Sequence, residues 1–173
     1  MIQIHHFVFS AFQENTYILY DDTKACIIID PGCNSVSEEQ ALSQFIEQKD
    51  LRPVRLINTH AHLDHIFGNQ FVAEKYGLGV ELHEGELPLL INAPRIAELY
   101  GVNMTPSPEP ASFIKEGDTV NFGQSSLRTL LVPGHSPAHL CFYSEEQGFV
   151  IAGDTLFYGS NEVYQAHGVE HAA

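Results

Sequence analysis

The sequence predicts a mixed α/β fold in which two β-sheets pack together and helices lie outside them. Three observations favour this class: the chain begins with strand-like segments, strands and helices then alternate, and the second half returns to strands. Two packed sheets with outer helices satisfy this order. A length of 173 residues predicts a single domain over residues 1–173, and 44% hydrophobic residues are enough for a buried core.

Runs of Ile, Val, Tyr and Phe bounded by turn-prone residues predict the strands. The segment 21–24 has the character of a hairpin turn, and Asp30–Gly32 closes the third strand. The predicted strands are Ile2–Phe9, Thr16–Tyr20, Ala25–Ile29, Val54–Asn58, Val80–Leu82, Thr119–Phe122, Leu127–Val132, His139–Tyr143 and Phe149–Ala152.

Three segments carry helix signals. Ser35, followed three residues later by Glu38, fits a capping box at the start of a first helix. Gly68–Tyr76 is predicted as a second helix that ends at a glycine. Glu84–Tyr100 is predicted as two short helices broken at Pro94, because proline disrupts a helix interior.

The net charge and the lengths of the apolar segments argue against nucleic-acid and membrane partners. Eight Lys and Arg residues stand against 22 Asp and Glu, a formal net charge of −14, which disfavours a nucleic-acid partner. No apolar stretch reaches membrane-spanning length, and Met1–Ser10 lacks the basic residues of a signal peptide. We therefore expect a cytoplasmic protein with no membrane partner and reduced thiols at Cys26, Cys33 and Cys141. The oligomeric state stays open.

Residues 59–65 read Thr-His-Ala-His-Leu-Asp-His and place His60, His62, Asp64 and His65 within six positions. Neutral imidazole and carboxylate are ligands that suit zinc, and also iron or manganese. The cluster follows the predicted strand Val54–Asn58, and open α/β sheets place their sites at the carboxyl ends of strands. In an extended loop the first two histidines can meet one ion, and the next pair can serve a second ion close by.

Two later residues stand at the same kind of position. His135 follows the predicted strand Leu127–Val132, and Asp154 follows the predicted strand Phe149–Ala152. Each is therefore a candidate to complete the metal site, and a carboxylate at position 154 could bridge two ions.

The motifs at residues 59–65, 133–135 and 153–154 together resemble the metallo-β-lactamase superfamily. Within it, the chain resembles the small glyoxalase-II-like hydrolases (hydroxyacylglutathione hydrolase and relatives), and Asn15–Tyr17 and Asp30–Gly32 match the same pattern. The resemblance implies a four-layer αββα sandwich. It also implies two bound metal ions, with zinc expected and iron or manganese as alternatives.

The resemblance further implies a role for each residue. His60, His62 and His135 would bind the first ion, Asp64 and His65 the second, and Asp154 would bridge them. A water between the ions would become a hydroxide near neutral pH and attack an acyl carbon, which makes Asp64 and Asp154 the catalytic candidates. Asp30 would orient ligands, and His139 would do so or serve the structure. His5, His6 and His83 have no motif around them and are interpreted as ordinary surface or core histidines.

The chain departs from the family after the bridging aspartate. The family has one more ligand for the second ion, on a Gly-His motif after a helical segment and a further strand. Here 19 residues follow Asp154, and Val163–Gly168 resembles that last strand with His167 as the ligand. We therefore expect the helical segment after Ser160 to be missing. Three alternatives remain: His167 still reaches the second ion, the second site lacks a ligand, or His171 or a partner chain substitutes.

The function implied is hydrolysis of a small-molecule thioester or related ester. The larger relatives hold glutathione with basic residues in a C-terminal extension that this sequence lacks. Only the family resemblance therefore implies a glutathione thioester as the substrate. One alternative is a mononuclear-iron, persulfide-dioxygenase-like enzyme that would use His60, His135 and Asp154. Another is a metal-binding protein with impaired catalysis. Candidate pocket-lining residues are Phe67, Tyr158 and the proline-rich loop Met104–Pro110.

Overall fold

The computed structural model describes residues 1–156, which form ten β-strands and four α-helices. The strands are β1 (Gln3–Phe9), β2 (Glu14–Tyr20), β3 (Ala25–Ile29), β4 (Arg52–Ile57), β5 (Val80–Leu82), β6 (Pro110–Phe113), β7 (Thr119–Phe122), β8 (Ser125–Leu131), β9 (Leu140–Ser144) and β10 (Phe149–Ile151). The helices are α1 (Val36–Gln48), α2 (Leu63–Ile66), α3 (Asn69–Tyr76) and α4 (Leu87–Tyr100), with 3-10 turns at Glu84–Glu86 and Gly153–Thr155.

The strands form two sheets whose ends can supply one site. The first has the order β1-β2-β3-β4-β5-β6, antiparallel from β1 to β3 and parallel from β3 to β6. The helices make the crossovers that parallel neighbours require, so the carboxyl ends of β3, β4 and β5 lie at one edge. The second sheet, β10-β9-β8-β7, is antiparallel throughout.

Two apolar cores hold the layers together. One lies between the helices and the six-stranded sheet, and the other lies between the two sheets. Ile28 and Leu56 belong to the first core, whereas Ile27, Ile29 and Ile57 belong to the second, as alternation along buried strands requires. The mixed α/β class with two packed sheets is therefore confirmed. Residues 1–156 supply one helical layer and both sheets of the αββα sandwich, and the single-domain extent to residue 173 stays a prediction.

Helix α4 contradicts the prediction of two short helices broken at Pro94. A 3-10 turn covers Glu84–Glu86, and one helix then continues through the proline. Leu90, Ala93 and Ala97 form a single buried face on this helix. Their burial outweighs the loss of one backbone hydrogen bond at proline, so the helix continues.

Two other elements were not predicted from the sequence. The proline-rich loop leads into β6, which pairs with β5 at the edge of the first sheet and begins at Pro110, a position that needs no N–H for the ladder. The short helix α2 lies inside the predicted ligand loop. By contrast, the predicted bounds of β3, β5 and β7 are confirmed.

All three cysteines lie inside the fold. Cys26, Cys33 and Cys141 are buried free thiols. Burial raises the pKa of Cys26 and of Cys33 to about 12. Among the helices of residues 1–156, none combines the length and the apolar composition that a membrane crossing needs.

Asp21 ties the first sheet to the second. It follows β2, is buried, and accepts hydrogen bonds from the Gln124 N–H at 2.7 Å and the Ser125 hydroxyl at 2.8 Å, next to β8. It also accepts the N–H of Thr23 at 2.9 Å. Although burial acts to raise it, the hydrogen bonds from Thr23, Ser125 and Gln124 lower the pKa of Asp21 to about 2.

We expect Asp21→Asn to lower the free energy of unfolding by roughly 1–3 kcal/mol at neutral pH, because one acceptor oxygen becomes a donor. The folded-state pKa lies below the ordinary value of 3.8, so the stabilisation is present above that pH and is lost as the pH falls towards about 2. Thermal unfolding at several pH values measures this. The control is Asp22→Asn, an exposed neighbour whose ion pair contributes little. A gap between wild type and Asp21→Asn that stays constant down to low pH would contradict the assignment.

Candidate metal centre

The predicted ligands gather where the ends of the two sheets meet. The backbone N–H of Leu140, at the start of β9, donates to the Thr59 carbonyl just beyond β4 at 2.8 Å. Because β8, β9 and β10 are antiparallel, the end of β8, the start of β9 and the end of β10 share one edge. That edge carries His135 and Asp154 to the loop that holds residues 60–65.

Six of the seven predicted ligands form two adjacent groups of three. The potential ligand atoms within each group lie within 4.8 Å of one another. The first group is His60, His62 and His135, and the second is Asp64, His65 and Asp154. The structure thus brings together the residues that the family resemblance assigns to each ion, and their binding of metal stays a prediction. His167, with Tyr158 and His171, lies outside the described residues, so its predicted role stays a prediction.

Asp154 belongs to the second group and also reaches the first. Its Oδ1 is 3.2 Å from His65 Nε2 and its Oδ2 is 3.3 Å from His135 Nε2, so one carboxylate oxygen faces each group. Burial acts to raise its pKa, but the hydrogen bond and charge of His65 lower it, so the side chain is an anion at neutral pH. A carboxylate in this position can bridge two cations.

Asp30 holds the second group in place. Its carboxylate accepts hydrogen bonds from the Thr59 N–H at 2.7 Å and the Thr59 hydroxyl at 2.6 Å, and it lies 3.0 Å from His65 Nδ1. A third cluster of potential ligand atoms, made by Asp30, His60 and His65, shares these contacts. Since both Asp30 oxygens are already engaged, its position fits orientation of His65 rather than metal binding.

The donor set fits divalent cations. His60 is fully buried, and its Nδ1 lies 2.9 Å from the Thr59 hydroxyl. Its Nε2 is buried with no hydrogen-bond partner among the described residues, which is costly unless another ligand satisfies it. Imidazole nitrogen with carboxylate oxygen, in adjacent groups of three, is a set that zinc, iron or manganese can use.

Electrostatics also favour bound cations. Burial, reinforced by neighbouring imidazoles, lowers the pKa of His60 and of His62, which keeps both rings neutral and able to ligate. Burial also raises the pKa of Asp64. Burial acts to lower the pKa of His65 too, but the carboxylates of Asp30 and Asp154 raise it well above its usual value. The carboxylates around this ring therefore favour positive charge at the second group.

The histidines that were not predicted as ligands make structural contacts. His139 is buried, stacks on His60 with ring centroids 4.7 Å apart, and accepts the Asp154 N–H at 3.2 Å through Nε2. His5 stacks on Phe45, and His83 accepts the Gly85 N–H at the 3-10 turn. His139 therefore supports the cluster.

Gly153 allows His139 and Asp154 to approach each other. Its φ is +50°, a left-handed conformation that glycine adopts readily. A Cβ at this position would lie 2.6 Å from His139 Nε2 and 2.7 Å from the Thr59 hydroxyl. The Gly-Asp pair in the sequence thus has a steric reason beyond an ordinary turn.

Glu86 is a functional candidate that the sequence did not reveal. Its side chain is fully buried, and its Oε2 accepts the Ala61 N–H at 3.0 Å. Its Oε1 accepts the Ser136 hydroxyl at 2.8 Å and the Ala138 N–H at 2.7 Å. One carboxylate thus joins the loop of the first two histidines to the loop of His135. No local signal separates it from an ordinary polar helix residue.

Glu14 is a second buried carboxylate that was missed. Its Oε1 lies 3.9 Å from His65 Nδ1, and its Oε2 lies 2.8 Å from the Thr16 hydroxyl oxygen. Burial raises the pKa of Glu14 to about 10, so it is a neutral acid at neutral pH. It therefore packs beside the second group without adding a further negative charge.

We expect Glu86→Gln to weaken metal binding by roughly 10–100-fold, because the amide keeps one acceptor oxygen and places an NH2 donor where the second stood, so the tie between the two ligand loops is lost. Competition against a chromophoric chelator measures the affinity, and urea unfolding measures stability, with a loss of roughly 1–3 kcal/mol expected. Glu84→Gln, on an exposed side chain of the same turn, is the matched control. Reduced stability with unchanged metal affinity would show that Glu86 serves the fold alone.

Comparisons with known proteins agree with this geometry. A probable metallo-hydrolase, YqgX of Bacillus subtilis, is 39% identical over 150 residues, which cover 85% of this chain and 68% of that protein. The hydroxyacylglutathione hydrolase GloC of Haemophilus influenzae is 32% identical over 152 residues, which cover 87% of this chain and 70% of that protein. A crystal structure of TTHA1623 in a di-iron-bound form superposes with a TM-score of 0.78 at 34% identity, over 90% of this chain and 74% of that one.

The family assignment rests on the match across nearly the whole sequence. The Metallo-beta-lactamase superfamily model matches residues 10–172. That span includes every residue of the two ligand groups. This chain therefore belongs to the metallo-β-lactamase superfamily.

Proposed function

We propose that the chain is a metal-dependent hydrolase that cleaves a thioester or related ester of a small molecule. The observation that carries the proposal is the position of Asp154, which has one carboxylate oxygen 3.2 Å from His65 in its own group and the other 3.3 Å from His135 in the first group. Paired sites of this kind suit hydrolysis, because two cations can act together on the attacking water and on the carbonyl. Zinc is the proposed metal, with iron or manganese as alternatives.

His60, His62 and His135 would hold one ion, Asp64 and His65 would hold the other, and Asp154 would serve both. Bound divalent cations would lower the pKa of a coordinated water to about 7 and polarise the acyl carbonyl. The chain contributes neutral imidazoles, a bridging carboxylate and the alignment that Asp30 gives to His65. Asp64 and Asp154 line the open side of the site, where they can orient the attacking water.

A groove beside the cluster can hold a small substrate. Its volume is about 420 Å³, within the range of small-molecule sites, and it is lined by His62, Asp64, His135 and Asp154 on one side. A small-molecule partner is therefore proposed. We also propose that it acts in the cytoplasm, in keeping with three buried, unpaired thiols.

The alternatives receive less support. A mononuclear-iron oxygenase would use His60, His135 and Asp154, which leaves His62, Asp64 and His65 without a reason to converge on the same place. A protein that only stores metal would not need an open groove beside the cluster. The wholly imidazole and carboxylate donor set is compatible with hydrolysis.

We expect the metal-loaded protein to hold two ions per chain and to hydrolyse acyl thioesters in a chelator-reversible manner. Asp154→Asn should reduce the content to about one ion and lower kcat/KM by roughly 100-fold or more, because the bridge is lost. Elemental analysis and a thiol-release assay measure these quantities. Asp22→Asn is the control, since Asp22 is exposed and remote from the groove.

Two results would count against the hydrolase. One is a single iron per chain with oxygen uptake on persulfide substrates, which would favour the oxygenase. The other is two tightly held ions without hydrolysis of any thioester or ester, which would favour a non-catalytic metal protein.

A further inference from the structure

The wall of the groove away from the metal cluster is apolar. Phe12, Leu63, Leu89, Ile96 and Tyr100 line it. Helix α4 supplies three of these side chains, at positions that share one face of a helix. The buried face of α4, with Leu90, Ala93 and Ala97, lies beside that stripe and fixes the helix to the sheet. The apolar wall is therefore anchored to the core.

Part of this wall is open to solvent. Tyr100 is 71% exposed and Phe12 is 49% exposed, and the Phe12 ring lies 6.1 Å from the buried Phe67 ring. Exposed apolar side chains grouped beside a polar site are a feature of ligand-binding grooves. These side chains, next to potential metal ligands, point to an apolar group on the substrate.

The charges along the groove argue against an anionic substrate tail. All eight Lys and Arg residues of the chain lie between Lys24 and Arg128, and none lines the groove. Arg55 is paired with Glu81, and Arg95, although next to Ile96, is turned about 100° away from it around the helix. The charged side chains that line the groove are carboxylates or imidazoles. A carboxylate remote from the scissile bond would meet no cationic side chain along this wall.

We infer that the substrates are uncharged esters or thioesters whose apolar group lies against Phe12, Leu89, Ile96 and Tyr100. This inference rests on the proposed hydrolase function and specifies its substrate class. The reacting carbonyl would face Asp64 and Asp154, and the apolar group would extend along α4. Each additional methylene placed on this wall should strengthen binding by roughly two- to fourfold.

Hydrolysis and binding test the inference separately. For hydrolysis, acetyl, butyryl and hexanoyl thioesters of N-acetylcysteamine, which are neutral, are compared with the same acyl thioesters of glutathione, which are anionic. We expect kcat/KM to rise with chain length and to be at least about tenfold higher for the neutral series. For binding, calorimetry on the metal-free protein compares S-hexyl-N-acetylcysteamine with S-hexylglutathione, and we expect the neutral thioether to bind more tightly.

Variants of α4 test whether this helix binds the apolar group of the substrate. Ile96→Ser should remove most of the chain-length dependence and weaken the neutral thioether, whereas Leu99→Ser, on a 79% exposed position of the same helix, should change neither. Arg95→Ala should leave the ratio between neutral and anionic ligands unchanged. Tighter binding of the glutathione thioether, or a loss of that binding in Arg95→Ala, would overturn the inference.

The two proposals fail in different ways. If the protein with two ions hydrolyses no thioester or ester, the proposed function is contradicted. Calorimetry still tests the apolar site in that case, because tighter binding of the neutral thioether that is lost in Ile96→Ser supports it. If thioesters are hydrolysed without dependence on chain length and without preference for neutral ligands, the hydrolase stands and the inference about the groove is wrong.

Discussion

The geometry of the site depends on the contacts of the Asp30 carboxylate with Thr59 and His65. Asp30 directly follows β3 and has a φ of +51°, a conformation unusual outside glycine. Its backbone is held on both sides, by its N–H donating to the Ile57 carbonyl at 2.9 Å and by its carbonyl accepting the Thr16 hydroxyl at 2.8 Å. The side chain is thereby directed at Thr59 and His65 from a fixed base.

Thr59 connects Asp30 to the second sheet. Its N–H donates to the Asp30 carboxylate, and its carbonyl accepts the N–H of Leu140 at the start of β9. The alignment of His60 relative to the loops of the second sheet thus depends on one short turn of the first. Glu86 adds an independent tie between the same loops, so two buried carboxylates, neither placed as a metal ligand, support the cluster.

The parts of the site predicted from the sequence are those whose signal is local. His60, His62, Asp64 and His65 stand close together after a strand, and His135 and Asp154 each follow a strand of their own, so topology alone brings them to one edge. Glu86 and Glu14 act across more than 20 positions or through burial, and no spacing marks them. At Pro94 the local signal gave the wrong prediction. The rule that proline disrupts a helix predicts a break there, whereas burial of one face of α4 keeps the helix continuous.

The buried thiols have a consequence for how the metal centre can be observed. Because all three cysteines are buried and none belongs to the potential ligand groups of residues 1–156, sulfur does not join the nitrogen and oxygen donors of the site. A protein loaded with cobalt would then show only the weak visible bands of imidazole and carboxylate coordination, free of the intense near-ultraviolet absorption that sulfur ligands add. Optical titration could therefore follow the filling of each position directly.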